Sequence, residues 1–162
     1  MRLNRQTGFT LLELVVTLAI VAVLGVMTVP VMEVTRQRIK EQSLNHALRE
    51  IRDALDAYKR AADAGVIDVD IEASGYPPSL DVLVDGVPRV EGKKKSKISR
   101  LYFLRRIPRD PMDESDAPNA ADTWGKRSFL SEANDPREGE DVFDVYSRSQ
   151  KLGLNGLAYN RW

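Results

Sequence analysis

Apolar positions are laid out along this chain in three ways. From Phe9 to Met32 they are nearly continuous, and among those 24 residues Glu13 alone is charged. From Leu44 to Ala62 they fall at three- and four-residue steps, at Leu44, Ala47, Leu48, Ile51, Ala54, Leu55, Tyr58, Ala61 and Ala62. Beyond Tyr76 short apolar runs alternate with stretches dense in Asp, Pro, Asn and Gly.

Each pattern predicts an element. A helix of 24 residues rises about 1.5 Å per residue, roughly 36 Å, whereas a bilayer core needs about 20 residues. The first run is therefore predicted to span a membrane. The second is one face of an amphipathic helix, which implies a small domain packed against it. Gly65 is predicted to stop that helix, and Arg49–Asp53, Arg52–Asp56 and Asp56–Arg60 are spaced as i,i+4 ion pairs on its outer face. In the third region "YPPSLDVLV" (76–84) reads as a turn and a short helix starting near Ser79. "LYFLRRI" (101–107), "WGKRSFL" (124–130) and "VFDVYS" (142–147) are strand candidates, and the segments between them are loops.

Composition changes this picture in a few places. With 162 residues there is room for one modest domain behind the apolar run. Basic and acidic residues balance at 24 each, so bulk charge selects no partner. There is no cysteine, hence no disulfide or thiolate metal site. His46 is the lone histidine and falls off the apolar stripe, and no G-x-S-x-G or H-E-x-x-H motif occurs, so no catalytic role and no cofactor are assigned. Arg2 and Arg5 precede the apolar run without an acid beside them, which favours a cytoplasmic N-terminus and an exported remainder. No A-x-A-like cleavage site closes the run, as a secretory signal would require.

Glu13 is the anomaly. An acid at the centre of a membrane helix costs about 2.5–3.5 kcal/mol, less near an end, and such residues usually have a partner. No cationic side chain lies between Phe9 and Met32. Cutting the chain between Gly8 and Phe9 would supply one, because a new α-amine is cationic near neutral pH and lies about one helical turn from Glu13.

"GFTLLELVVTLAIVAVLG" (8–25) closely resembles the processing and assembly segment of type IV pilins and type II secretion pseudopilins. The resemblance implies that a prepilin peptidase cuts after Gly8 and that the new terminal residue, Phe9, is N-methylated. It implies that Glu13 docks a subunit into the growing filament by pairing with a neighbour's terminal amine, and that Pro30 marks a bend in the long helix. "YPPSLDVLV", "IPRDPM", "TWG", "FDVYSRS" and "GLNGLAYNRW" come in the order seen in proteins like the major pseudopilin of type II secretion. The expected fold is α+β and pilin-like, a long N-terminal helix packed on a small antiparallel sheet, with the first half of that helix in the membrane. Residues 1–8 would be the leader, 9–32 the transmembrane and filament-core helix, and 33–162 the periplasmic domain. The implied function is that of a structural subunit of a type II secretion pseudopilus. Its partners would be further copies of itself, other pseudopilins, the prepilin peptidase, and an inner-membrane assembly platform with its ATPase, with an outer-membrane secretin beyond.

One departure concerns metal. Major pseudopilins typically bind calcium in a C-terminal loop containing acids, whereas here no acid occurs from Lys151 to Trp162. Calcium wants about 6–8 oxygen ligands, usually including carboxylates, so the site is not carried over and no metal is assigned. The tail "GLAYNRW" is instead expected to be held by packing of Tyr159 and Trp162 on the sheet or the flank of the long helix. Asp110, Asp113, Glu114, Asp116 and Asp122 are candidates for another metal site, calcium included, against the plain reading of a solvated acid-rich loop.

A second function class stays open, a minor pilin that binds DNA or surfaces. Residues 89–109 carry nine bases against Glu91 alone, including the run Lys93 to Lys97 beside Arg100, Arg105, Arg106 and Arg109, with Tyr102 and Phe103 as stacking candidates. Such runs are ordinarily solvated loops, and eleven acids against three bases occupy 110–144, which disfavours nucleic acid.

Overall fold

The computed structural model describes residues 9–70, 73–90 and 100–162, and within these the side chains of 26–31 are outside the description. The chain divides into two compact units, one up to Arg38 and one comprising Ile39–Trp162.

Helix α1 runs from Leu11 to Asp63 and belongs to both units. In the first unit its described side chains from Leu11 to Gly25 are all exposed, although all but a few are apolar. Among the described residues no helix is long and apolar enough to cross a membrane. The run predicted to span, 9–32, includes residues 26–31, whose side chains lie outside the described residues.

In the second unit α1 forms the spine of the core. Leu44, Ala47, Leu48, Ile51, Ala54, Leu55 and Tyr58 are buried, and Ala61 and Ala62 pack against them, as the apolar stripe predicts. The helix stops where a glycine permits it. Gly65 has φ +62°, its N–H donates to the Ala62 carbonyl, and Val66 N–H donates to the Ala61 carbonyl, which is a Schellman cap. The i,i+4 pairs expected on the outer face are not formed. Among the described residues the i,i+4 ion pair is Lys59–Asp63, while Arg52 turns to Asp144, 92 residues away. A guanidinium that can serve a carboxylate and main-chain oxygens together gains more than an exposed helical pair offers.

Helix α2 (Asp81–Asp85) comes after the Tyr76–Pro78 turn and buries Leu83. Among the described residues the sheet is not one piece but two antiparallel two-stranded ladders. Strand β1 (Val87–Pro88) pairs with β2 (Arg100–Leu101), and β3 (Trp124–Arg127) pairs with β4 (Asp144–Ser147). The strand expected over 101–107 ends at Leu101 because the chain turns there, and the Phe103 and Leu104 N–H groups both donate to the Leu83 carbonyl. In the second ladder Gly125 faces Tyr146 across the strands. A Cβ at Gly125 would lie 2.4 Å from the Tyr146 ring, so the glycine is what lets that ring lie across the ladder. Trp124 and Val145 are fully buried against the α1 stripe, and the indole N–H of Trp124 donates to the Pro108 carbonyl at 2.8 Å.

Candidate assembly segment and C-terminal loop

Gly8 lies outside the described residues. Phe9 is exposed and precedes the first helical turn, and Glu13 sits on an exposed face of that turn. The Glu13 main-chain N–H donates to Thr10 Oγ1 at 3.2 Å. Thr10 is thus the N-cap of α1 and Glu13 is its third residue, the T-x-x-E spacing of a capping box. The sequence carries this signal in "TLLE", where the charge of Glu13 is more conspicuous than the hydroxyl of Thr10. An acid in the first turn also faces the positive end of the helix dipole, so Glu13 stabilises the start of α1 whatever else it does.

The helix surface around and beyond Glu13 is unusual for a protein exterior. Leu11, Leu12, Leu18 and Val21 are each more than 60% exposed. A helix apolar on all faces normally lies in a bilayer or in a protein interior.

Among the described residues, members of the basic and acidic sets read from the sequence are engaged with separate partners. The lysines at 93–97 lie outside the described residues. Arg100 donates to the Gly86 carbonyl and Arg109 to the Ala117 and Ser115 carbonyls. Phe103 packs on Tyr58 with ring centroids 5.3 Å apart, while Tyr102 is exposed. Among the acids, Asp113 accepts from Ser115, Glu114 pairs with Lys151, and Asp122 accepts from Asn119. The Lys151 ammonium holds the Glu114 carboxyl below the usual range. Asp110 is buried, accepts from Met112 N–H through Oδ1, and leaves Oδ2 without a hydrogen bond of ordinary geometry. Burial raises its pKa, and the Ser147 hydroxyl and the Met112 N–H offset part of that rise. Among the described residues no three His, Cys, Asp or Glu side chains stand close enough to hold a metal together. His46 is exposed.

The C-terminal loop is closed by its own main chain. Gly153 N–H donates to the Leu157 carbonyl at 2.8 Å, Leu157 N–H to Asn155 Oδ1 at 3.0 Å, and Leu152 bridges Ala158. Tyr159 is buried and meets Trp162 edge-on at 5.2 Å between centroids. A Cβ at Gly153 would lie 2.7 Å from the Trp162 ring, so this glycine admits the indole. Arg52, from α1, ties the tail to the ladder, donating to Asp144 Oδ1 at 2.8 Å, the Val145 carbonyl at 3.1 Å and the Trp162 main-chain oxygen at 2.9 Å. Tyr159 and Trp162 thus anchor the tail by packing. The loop offers no carboxylate, and Asn155 Oδ1 is already engaged. Its residues do not fit the calcium site that the resemblance implies.

An all-round apolar helix with an acid in its capped first turn, whose later turns are the spine of an α+β domain, defines the pilin-like class. Residues 3–29 match the prokaryotic N-terminal methylation motif. The chain is 31% identical to the type II secretion system core protein G of Klebsiella pneumoniae over 112 residues, covering 67% of this chain and 71% of that one. Its identity to the core protein G of Aeromonas hydrophila is 27% over 144 residues, 87% of this chain and 92% of the relative. The Vibrio cholerae core protein G is 26% identical over 68% of each chain. No solved structure matches significantly. The chain belongs to the type II secretion system core protein G family of pseudopilins.

Proposed function

We propose that this protein is a structural subunit of a type II secretion pseudopilus that works by polymerising. Residues 1–8 are its leader, removed by the prepilin peptidase between Gly8 and Phe9, and Phe9 is then N-methylated. The mature subunit waits in the inner membrane through residues 9–32, with its N-terminus cytoplasmic and residues 33–162 periplasmic. It leaves the bilayer as its apolar helix packs among those of other copies and of other pseudopilins, with work supplied by the assembly platform and its ATPase. Glu13 pairs with the terminal amine of a neighbour, and Pro30 provides a bend in α1. The observation that carries this reading is the exposed, all-round apolar first part of α1, headed by Glu13 and lying within the methylation motif. Such a surface needs either lipid or identical helices around it, and a subunit moving from one to the other uses both. The family to which the chain belongs favours this over a minor pilin that binds DNA, and no catalytic role is assigned.

Mass spectrometry of the membrane-bound protein tests the processing step. The expected N-terminus is methylated Phe9, and a bulky residue in place of Gly8 should abolish cutting. Intact Met1 in cells with an active peptidase would overturn the reading.

A further inference from the structure

The C-terminal loop lacks the acids of a calcium site, yet a carboxylate still stands at its centre. That carboxylate comes from the helix. Glu41 of α1 is buried, and its Oε1 accepts from Leu154 N–H at 2.8 Å and from the Tyr159 hydroxyl at 2.8 Å, across more than 110 residues of chain. We propose that Glu41 fastens this loop in place of a bound cation, so that folding of the domain, and with it assembly of the subunit, is independent of calcium. The assembly clause rests on the pseudopilin reading; the folding clause does not.

The polarity of the groups decides between a latch and a ligand. A cation site turns oxygen lone pairs inward and keeps N–H and O–H hydrogens away from its centre. Here the loop does the reverse. Leu154 N–H and the Tyr159 hydroxyl both aim hydrogens at one point, and that point is occupied by a negative oxygen. Leu157 N–H likewise claims Asn155 Oδ1, the side-chain oxygen of the loop that lies near Gly153. The surroundings complete the fastening. Tyr159 is held by Trp162, Trp162 enters over Gly153, and the Trp162 main-chain oxygen is tied by Arg52. Glu41 and Arg52 both project from α1, so one helix grips the tail through an acid and a base. A hydrogen bond to a charged group is typically stronger than a neutral one, and removing one partner leaves the other buried and unsatisfied. The latch therefore replaces what a metal would otherwise supply, a charge at the loop's centre, but with the sign inverted.

The test uses the full chain in detergent micelles. Thermal melts in EDTA and in millimolar calcium should coincide, because a ligand that binds only the folded state would raise the midpoint by mass action. Hydrogen exchange should show the Leu154 amide protected in both conditions. Glu41→Gln and Glu41→Ala should each speed its exchange by about tenfold or more, the range expected for losing a charge-assisted hydrogen bond. Tyr159→Phe, which deletes only the hydroxyl and keeps the ring in place, guards against a Glu41 variant that fails to fold. It should speed Leu154 exchange less than Glu41→Ala does, and should lower the midpoint by less in the Glu41→Gln background than in wild type. A saturable rise in midpoint with calcium, lost in Glu41→Gln, would make Glu41 a metal ligand and overturn the proposal. Unchanged Leu154 exchange in Tyr159→Phe and in a folded Glu41 variant would overturn it equally. Because both readouts are taken on the purified subunit, neither depends on whether it polymerises.

Discussion

Replacing Arg52 by alanine should destabilise the domain by about 2–3 kcal/mol, the sum of one screened ion pair and two hydrogen bonds. The guanidinium pairs with Asp144 and donates to the main-chain oxygens of Val145 and Trp162. The side chains of Arg52 and Asp144 are 37% and 26% exposed, so water screens the pair and its share is about 1 kcal/mol or less. Each main-chain hydrogen bond contributes about 0.5–1.5 kcal/mol. Loss of the alkyl stem's packing adds a little. For a domain of this size the midpoint should fall by about 10 °C. Arg52→Lys is the informative control. An ammonium keeps the charge but cannot serve a carboxylate and two main-chain oxygens from one planar fork, so it should restore less than half of the loss. Circular dichroism melts of the two variants beside wild type would measure this. A drop under about 2 °C for Arg52→Ala, or full rescue by lysine, would refute the view that Arg52 joins helix, ladder and tail.

Two other perturbations act at separate points of the core. Burial raises the pKa of Asp110 above 3.8 in the folded state. Its contribution therefore favours folding below that value and is lost as pH rises through the raised one. Asp110→Asn should gain in midpoint relative to wild type as pH rises from about 3 to about 7, and a constant difference across that range would count against the assignment. Gly125→Ala places a methyl 2.4 Å from the Tyr146 ring and should cost about 1–3 kcal/mol. Most of that cost should vanish in a Tyr146→Ala background, as read by denaturant titration; equal costs in both backgrounds would mean the ring is not what excludes the methyl.

The helix and its buried face were legible because their signal is local. The stripe from Leu44 to Tyr58 repeats within a few residues, and Gly65 supplies a cap that few other residues allow. The ladder strands were harder. "WGKRSFL" and "VFDVYS" mark β3 and β4, but "LYFLRRI" has a similar composition and leaves the ladder after Leu101, because the Leu83 carbonyl draws the Phe103 and Leu104 N–H groups. β1 holds only Val87 and Pro88, too short for any period to register. In the tail, Tyr159 and Trp162 could be picked out as anchors by size and by the lack of acids. Glu41 and Arg52 could not. Each looks like an ordinary charged residue on a helix, and what makes them different is a partner more than 90 residues further along the chain.

Two explanations compete for Glu13. In the proposed function it serves assembly through its charge, whereas its place in the first turn, three residues after the Thr10 cap and at the positive end of the helix dipole, suits it to securing the start of α1. Glu13→Gln separates the two, because glutamine completes a capping box as glutamate does but carries no charge to pair with a neighbouring amine. The measurement is pseudopilus formation, scored by sheared filaments and by secreted protein, with the processed, membrane-inserted subunit quantified in the same cells. A role in assembly predicts normal amounts of subunit beginning at Phe9 and loss of filaments and secretion. Normal filaments and secretion in Glu13→Gln would contradict that role and leave Glu13 as a first-turn residue that steadies the start of α1.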